Sequence, residues 1–253
     1  MLVATLGGTL TMTAYIGTSG WSYDHWHGVL YPPGVPQRER LAYYVQHYQT
    51  VEVNSTFYQW PADHVFASWY RRVPHTFCLS VKAPRGLTHG RRLYAPEAWL
   101  LRINRSLRFL GHKRGVLLVQ TPPDLAYDHA RLAYFLEQLP PGLQVALEFR
   151  HVSWHHEAVF DLLEQWGAAY CVMSGAGLPC ILRATAFCVY VRLHGPDRDR
   201  LYTGSYTDDD LRWWAERLRE WMGQGRSVFV YFNNDGYGHA VHNARTLHNL
   251  LNG

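Results

Sequence analysis

Charged and polar residues stand at the ends of several short apolar segments, and their types are those that move protons in enzymes. The segments VEVN, LSVK, VALEFR and VYVRLH carry the four residues that we expect to be catalytic, namely Glu52, Lys82, Glu148 and His194. Two carboxylates in unlike surroundings can be driven apart in pKa and can then serve as general acid and general base. An imidazole titrates near neutral pH and is a candidate proton shuttle, while the lysine could also hold a carboxylate in place. These segments therefore predict acid/base chemistry.

Strand-like and helix-like patterns alternate along the whole chain. The predicted strands are Tyr15–Thr18, Val51–Asn54, Phe77–Lys82, Val116–Gln120, Val145–Phe149, Ala169–Met173, Val189–His194 and Val228–Asn233. Helical spacing follows a cap at Asp128, occupies His156–Trp166, and follows Thr207, which with Asp210 resembles a capping box. Eight strands alternating with helices predict right-handed βα units and an α/β fold, a closed (β/α)8 TIM-like barrel. An open doubly wound sheet would require a glycine-rich phosphate turn after its first strand, and IGTSGWSY lacks one.

The chain is expected to form one domain. Its 253 residues suit a single barrel, so we expect an N-terminal extension over residues 1–13, with Met12 as an alternative start, and a barrel domain over 14–253. The cysteines, which are Cys78, Cys171, Cys180 and Cys188, form no C-x-x-C pair and are expected to be small buried hydrophobes in a reducing compartment. No stretch approaches the roughly 18 apolar residues of a membrane span. We therefore expect a cytoplasmic protein with no membrane partner and no protein partner.

Side-chain alternation predicts which strand residues lie inside the barrel. Successive residues of a strand point to opposite faces, so the valines of VEVN face the helices while Glu52 and Asn54 face the lumen. The same alternation sends inward Ser80, Lys82, Ala146, Glu148, Arg150, Tyr190, Arg192 and His194, and less decisively Gln120, Tyr231 and Asn233. The polar ones lie at the C-terminal ends of their strands, where barrel enzymes build active sites. A lattice of salt bridges that plugs the barrel mouth is the alternative explanation.

The strand ends and the loops after them supply the candidates for binding a substrate. These are Trp21, Asn54, Tyr58, His89, Gln120, Arg150, Trp154, Arg192, Tyr202, Asn233, Asn234 and Asp235. Loops after the seventh and eighth strands hold phosphate in many barrels, and aromatic residues near the mouth suit stacking on sugars or bases. The net charge of +4 favours an anionic ligand but is well short of a dedicated nucleic-acid surface. We therefore expect a small anionic ligand or a nucleic-acid fragment.

A divalent metal is an alternative that the sequence does not favour. The residues that could hold one are His89, Glu148, His194 and Asp235, because imidazole with carboxylate suits zinc or manganese. The basic side chains predicted for the lumen would oppose a cation. We assign no metal ligands and leave the cofactor unassigned.

Seven segments, in order, resemble the successive motifs of the YecE-like family, a domain of unknown function (number 72). They are IGTSGWSY, VEVNSTFY, VKAPRGLTH, LLVQTPP, LEFRHVSW, YVRLHG and YFNND, and they run from about Tyr15 to the C-terminus. The resemblance implies a TIM-like barrel, similar in fold to metal-dependent sugar isomerases and apurinic-site endonucleases, but it brings no established activity. After the sixth strand the family usually carries an acidic residue, whereas this chain has Ser174. If that acid takes part in chemistry, the resemblance implies an altered or inactive member.

Three functions follow from these observations. The first is a hydrolase, lyase or isomerase that acts by carboxylate acid/base chemistry on an anionic sugar- or nucleotide-like substrate at the C-terminal barrel face. The alternative is a non-catalytic nucleic-acid-binding protein that uses the basic, aromatic-rimmed mouth, with binding that weakens steeply with salt. A third is a small-ligand sensor that uses the same lumen without chemistry.

Overall fold

The computed structural model describes residues 13–253, and eight parallel strands form its centre. The strands are β1 (Ala14–Thr18), β2 (Thr50–Val53), β3 (Cys78–Lys82), β4 (Arg114–Gln120), β5 (Val145–Glu148), β6 (Ala169–Ser174), β7 (Cys188–Leu193) and β8 (Ser227–Phe232). Their order in the sheet is β1-β8-β7-β6-β5-β4-β3-β2. All eight predicted strands are confirmed, and their ends lie within two residues of the prediction. The predicted extension over residues 1–13 and the alternative start at Met12 lie outside the described residues, apart from Thr13.

The sheet closes into a barrel where β1 meets β2. A bridge between Ser19 and Glu52 joins the two strand ends, and the Gly20 amide donates to the Glu52 carbonyl oxygen at 2.8 Å. A Cβ atom at Gly17 would collide with the carbonyl oxygen of Thr50, so glycine is what permits the close approach of these strands. The result is the TIM-like α/β barrel that the strand pattern predicted.

Within residues 13–253, eight α-helices surround the strands. They are α1 (Arg40–Tyr44), α2 (Ser55–Tyr58), α3 (Asp63–Arg72), α4 (Glu97–Leu107), α5 (His129–Glu137), α6 (Glu157–Trp166), α7 (Asp208–Gly223) and α8 (His239–Asn252). The Asp128 carboxylate accepts from the Arg131 amide at 3.0 Å, and Thr207 with Asp210 forms a capping box. These contacts confirm the predicted starts of α5 and α7.

The connection from β6 to β7 departs from the alternation of strands and helices. Residues 175–187, all of them described, contain no helix. Arg183 in this segment lies 3.0 Å from Glu164 of α6, and the Thr185 hydroxyl donates to the Ala168 carbonyl oxygen at 2.7 Å. The segment is therefore held by side-chain contacts with its neighbours, where the other strand connections use a helix.

Side-chain alternation divides the apolar residues into two layers, as predicted. The layer between sheet and helices includes Val51, Val53, Leu79 and Val81. A second cluster fills the lumen and includes Cys78, Val116, Leu118, Ala146, Cys171, Cys188 and Phe229. Three of the cysteines are thus buried, whereas Cys180 is exposed. The Tyr231 hydroxyl bonds Thr50 and Ser80, at 2.7 and 2.8 Å, and marks the change to polar side chains nearer the mouth.

Candidate active site at the C-terminal mouth

A buried ionic layer crosses the lumen near the C-terminal ends of the strands. Arg192 of β7, which is 1% exposed, donates to both carboxylate oxygens of Glu52, at 2.8 and 3.0 Å. The same guanidinium donates to Glu148 at 2.6 Å. Glu52 also accepts from the hydroxyls of Ser19 and Tyr190, at 2.6 and 2.7 Å. Because β2, β5 and β7 each contribute a charged group, this ionic layer ties three parts of the barrel together.

Glu148 connects the ionic layer to polar groups nearer the mouth. Its Oε1 atom accepts from the Gln120 amide at 2.7 Å and from the guanidinium of Arg150. The Nε2 atom of His194 lies 3.7 Å from that oxygen, and its Nδ1 atom lies 3.2 Å from the side-chain nitrogen of Asn233. The structure therefore brings together these five predicted site residues around one carboxylate.

Both carboxylates of the ionic layer are held in the ionised form. Burial raises the pKa of Glu52, but Arg192 and the hydrogen bonds from hydroxyl groups outweigh burial and leave that pKa lowered. Burial also raises the pKa of Glu148, and Arg150 together with Arg192 outweighs it and holds the pKa well below its usual range. Neither pKa is raised as that of a general acid would be, because the guanidinium groups shift both downward. Glu52, Glu148, Arg150 and Arg192 thus form a lattice of salt bridges, which is the alternative explanation that the sequence left open for the charged residues of the lumen.

His194 is a neutral member of the site. Its side chain is fully buried, and burial lowers its pKa to about 4, although Glu148 favours the charged form. At pH 7 the imidazole therefore carries no charge, and it can relay hydrogen bonds between the ionic layer and Asn233.

A cleft of about 440 Å³ opens at the mouth of the barrel. Its lining residues are Tyr23, Asn54, Phe57, Tyr58, Lys82, Arg192, Tyr202, Asn233, Asp235 and Gly236. Seven of these ten are predicted site residues, drawn from the ends of β2, β3, β7 and β8 and the loops that follow. Residues with polar side chains thus converge on a concave space of a size that suits a small ligand.

Lys82 supplies an unpaired amino group to this cleft. Within residues 13–253 its Nζ atom forms no hydrogen bond or ion pair, and it lies 4.4 Å from the centre of the Phe57 ring. Burial lowers the pKa of Lys82 to about 8, and the nearby Arg192 adds to this effect. Lys82 therefore takes no part in the salt bridges that join the two arginines and the two glutamates of the lumen.

Asp235 is a second titratable group in the cleft. The loop after β1 holds it: the Trp26 indole donates to Oδ1 at 2.6 Å, and His25 Nε2 lies 3.0 Å from Oδ2. Burial raises the pKa of Asp235 to about 6, although His25 and Trp26 favour the ionised form. Lys82 and Asp235 therefore titrate on either side of neutral pH.

Exposed aromatic rings border the cleft. Tyr58 is 82% exposed and Tyr202 is 43% exposed. An adjoining cavity of about 280 Å³ is lined by Trp21 together with Tyr58. Tyr237, which is 87% exposed, directly follows the cleft residue Gly236. These rings offer flat apolar surfaces at the mouth.

Six residues expected to bind substrate do not line the cleft itself: Trp21 lines the adjoining cavity, Gln120 and Arg150 contact Glu148, and the others are Trp154, Asn234 and His89. Trp154 is fully buried because its ring stacks on Phe149, with centroids 4.6 Å apart, and its indole donates to the Leu125 carbonyl oxygen at 2.6 Å. Asn234 is buried because its amide nitrogen bonds the backbone after β7 and a side chain of α8. His89 packs edge-on against Phe57, on which Lys82 also lies.

The sequence pattern indicates neither Phe57 nor His25 as a site residue. The scarcity of lysine in the chain is a signal that could have singled out Lys82. Neither missed residue follows a strand directly, so alternation could not indicate them. The chain has 22 arginines and two lysines, and this preference for arginine makes a lysine at a strand end noteworthy. Ser174 lies outside the cleft, in a hollow that it shares with Tyr206.

In the part of the chain that the structure describes, the other residues that could carry chemistry do not form a second site. A cavity of about 560 Å³ lies at the opposite end of the barrel, where burial raises the pKa of Cys78 to about 12 and that of Cys188 to about 11. In residues 13–253, no three His, Cys, Asp or Glu side chains are grouped as metal ligands. None of the helices described here has the length and apolar character needed to cross a bilayer.

A parallel barrel with an ionic layer beneath a C-terminal cleft places the chain among the TIM-like α/β barrel proteins. The family model described as "Protein of unknown function DUF72" matches residues 15–253, and the chain belongs to this family. The resemblance of its seven segments to the YecE-like family is thereby confirmed.

Relatives and solved structures of the same family are similar over most of the chain. UPF0759 protein YunF of Bacillus subtilis is 28% identical, over 94% of each protein. UPF0759 protein YecE of Escherichia coli K12 is 25% identical, over 54% of this chain and 48% of its own length. The crystal structure of a DUF72 family protein from Thermotoga maritima has a TM-score of 0.85 and 26% identity, and the match covers 95% of this chain and all of that one. A DUF72 family protein from Enterococcus faecalis, at 21% identity and a TM-score of 0.83 over 95% of this chain and 96% of its own, shares the fold.

Proposed function

We propose that this protein is an enzyme, a hydrolase, lyase or isomerase, that transfers protons on a small anionic, sugar- or nucleotide-like substrate bound in the C-terminal cleft. The observation that carries the proposal is that Lys82 and Asp235 line one cleft, above an ionic layer whose charges are already matched. Because every charge in this buried layer is paired with an opposite charge, the layer forms a rigid lower surface for the cleft. The reacting groups are those that remain open to a ligand.

The charge balance favours an anion. Glu52 and Glu148 are matched by Arg192 and Arg150, and among residues 13–253 no carboxylate lies within ion-pair distance of the Lys82 amino group. An anionic group of the substrate would supply the missing partner, at a depth where water screens the interaction weakly.

The pKa values suit proton transfer near neutral pH. A general base and a general acid work best when their pKa values lie close to the operating pH. The values of about 8 for Lys82 and about 6 for Asp235 meet this condition, whereas the two glutamates of the ionic layer remain ionised. We therefore assign proton transfer to Lys82 and Asp235, and we assign Glu52 and Glu148 the task of holding Arg192 and Arg150 in position.

The test is a screen of sugar phosphates, sugar acids and nucleotides by thermal shift and turnover. Loss of a charged hydrogen bond costs about 1.5–3 kcal/mol, so Lys82→Met should weaken binding of a hit roughly 10- to 100-fold. Asp235→Asn should retain binding and lose most turnover. The control for net charge is Arg38→Met, because the Arg38 side chain is 83% exposed. A hit that binds Lys82→Met as tightly as the native protein would contradict the proposal.

A second candidate is nucleic-acid binding, which the exposed rings at the mouth favour. Tyr58 and Tyr237 are 82% and 87% exposed, and base stacking on such a ring contributes about 1–3 kcal/mol. On this alternative, an oligonucleotide binds at low salt, and either tyrosine-to-alanine change weakens the complex. An affinity that is absent at low salt, or that does not fall as salt rises, would exclude this alternative.

A further inference from the structure

We propose that Lys82 forms a covalent imine with the carbonyl carbon of a small hydroxy-aldehyde or hydroxy-ketone bound in the cleft. The proposal rests on the proposed function, because it names the substrate class of the same cleft. It goes further by giving the lysine a bond-forming role.

The choice of lysine at position 82 is the first observation. Of the 24 basic residues, 22 are arginine, and the lysines are Lys82 and Lys113. The Lys113 ammonium donates to the carbonyl oxygens of Tyr70 and Val73, both at 2.7 Å, and is thereby committed to the structure. An arginine could supply a positive charge to the cleft, but a guanidinium stays protonated and does not condense with a carbonyl group. Anion binding alone therefore does not account for an amine at position 82.

The surroundings of the amino group are the second observation. Lys82 lines the cleft, and its Nζ atom makes no polar contact within the described residues and rests against the face of the Phe57 ring. With a pKa of about 8, about a quarter of the amine is neutral at pH 7.5, compared with about one part in a thousand for an ordinary lysine. The neutral amine is the form that attacks a carbonyl carbon.

The remaining cleft groups indicate hydroxyl groups on the substrate. The Oδ1 atom of Asn54 is buried and, among residues 13–253, has no hydrogen-bond partner. Asn233 and Asp235 also line the cleft and present hydrogen-bonding groups. These groups suit a polyhydroxylated carbonyl compound, such as the open chain of a short sugar.

The bond changes balance without an added oxidant or reductant. The nitrogen lone pair of neutral Lys82 forms the N–C bond as the carbonyl π pair moves to oxygen. A proton then passes from the nitrogen to that oxygen and gives a neutral carbinolamine. Protonation of its hydroxyl group then lets water leave, and the product is a protonated imine. The reaction takes up one proton in all and releases one water. The Asp235 carboxyl group, which lines the same cleft, can supply that proton.

The experiment is reductive trapping. The full chain is incubated with glycolaldehyde or dihydroxyacetone and sodium borohydride, which reduces the imine to a stable secondary amine. Each adduct adds the mass of the carbonyl compound plus two hydrogens minus one water, and peptide mapping locates it. Because the chain has two lysines, the sites to be compared are Lys82, Lys113 and the terminal amine.

We expect Lys82 to carry at least about ten times the adduct found at either other amine. Lys82→Arg should abolish this adduct, and Lys113→Arg should leave it. Equal labelling of the amines, or labelling that survives Lys82→Arg, would overturn the imine. The native protein could also turn over a hit from the ligand screen without any adduct being trapped. That result would overturn the proposal of an imine but would leave the proposed function unaffected. An adduct at Lys82 in a protein that turns over none of the screened compounds supports the imine and counts against proton-transfer catalysis.

Discussion

Replacing Glu52 by glutamine removes one charge from the buried ionic layer while keeping the shape of the side chain. The carboxylate accepts hydrogen bonds from Ser19, from Tyr190 and, through two nitrogen atoms, from Arg192. An amide offers one acceptor oxygen, so its nitrogen would face a guanidinium donor. Arg192 would then keep Glu148 as its carboxylate partner and would lose the other.

The expected loss of stability can be estimated from these contacts. Removing one partner of a buried ion pair costs about 3–5 kcal/mol, because the other charge stays buried and unmatched. In a chain of 253 residues, each kcal/mol lowers the unfolding midpoint by roughly 2–4 °C. We therefore expect Glu52→Gln to lower Tm by about 6–20 °C at pH 7.

Thermal unfolding followed by circular dichroism measures this change, and its pH dependence identifies the cause. The folded pKa of Glu52 lies below its ordinary value of 4.5, so the ionised carboxylate contributes stability that is fully present above pH 4.5 and is lost as pH falls through the folded value. The gap in Tm between native protein and variant should therefore narrow in acid. Glu216→Gln is the control, since that side chain is 62% exposed and its loss should leave Tm unchanged. A Glu52→Gln protein with native Tm at pH 7 would refute the reasoning.

Two further changes test other parts of the structure. Because the folded pKa of Asp235 is raised to about 6, the native protein should lose stability relative to Asp235→Asn as pH rises from about 4 to 6. Urea unfolding at several pH values measures the free energy of unfolding of both proteins. Free energies that change with pH in parallel for the two proteins would contradict the prediction. Gly17→Ala should cost about 1–3 kcal/mol, because the added Cβ meets the Thr50 carbonyl oxygen, whereas Gly223→Ala, with open space around it, should gain about 0.4–1 kcal/mol. Equal urea midpoints for these two glycine variants would contradict the account of barrel closure.

Strand positions and inward-facing residues could be predicted because both follow from local patterns. An apolar run marks a strand, and a period of two assigns each residue to one face. The same rule predicts that Glu52, Glu148 and Arg192 lie in the lumen. It could not predict that one guanidinium would bridge both carboxylates, because that depends on distances between strands far apart in sequence.

Trp154 and the pair formed by Glu52 and Glu148 show where local patterns stop being informative. Trp154 follows a strand end as a rim residue would, but stacking on Phe149 and a carbonyl acceptor at Leu125 draw it into the core. The pKa values of Glu52 and Glu148 were expected to diverge, and the surrounding guanidinium groups lower both. Packing and charge balance are properties of the assembled barrel, so a single strand does not reveal them.

The central claim is that Lys82 presents a titratable amine to a ligand cleft, and NMR of the two lysines tests it most directly. With ¹³C placed at Cε of lysine, the chain gives two signals, and Lys82→Arg assigns them. We expect the Lys82 signal to titrate with a midpoint of about 8 and to shift when a hit from the ligand screen is added. A Lys82 midpoint at the ordinary value of 10.5, with no response to any ligand that the protein binds, would contradict the account.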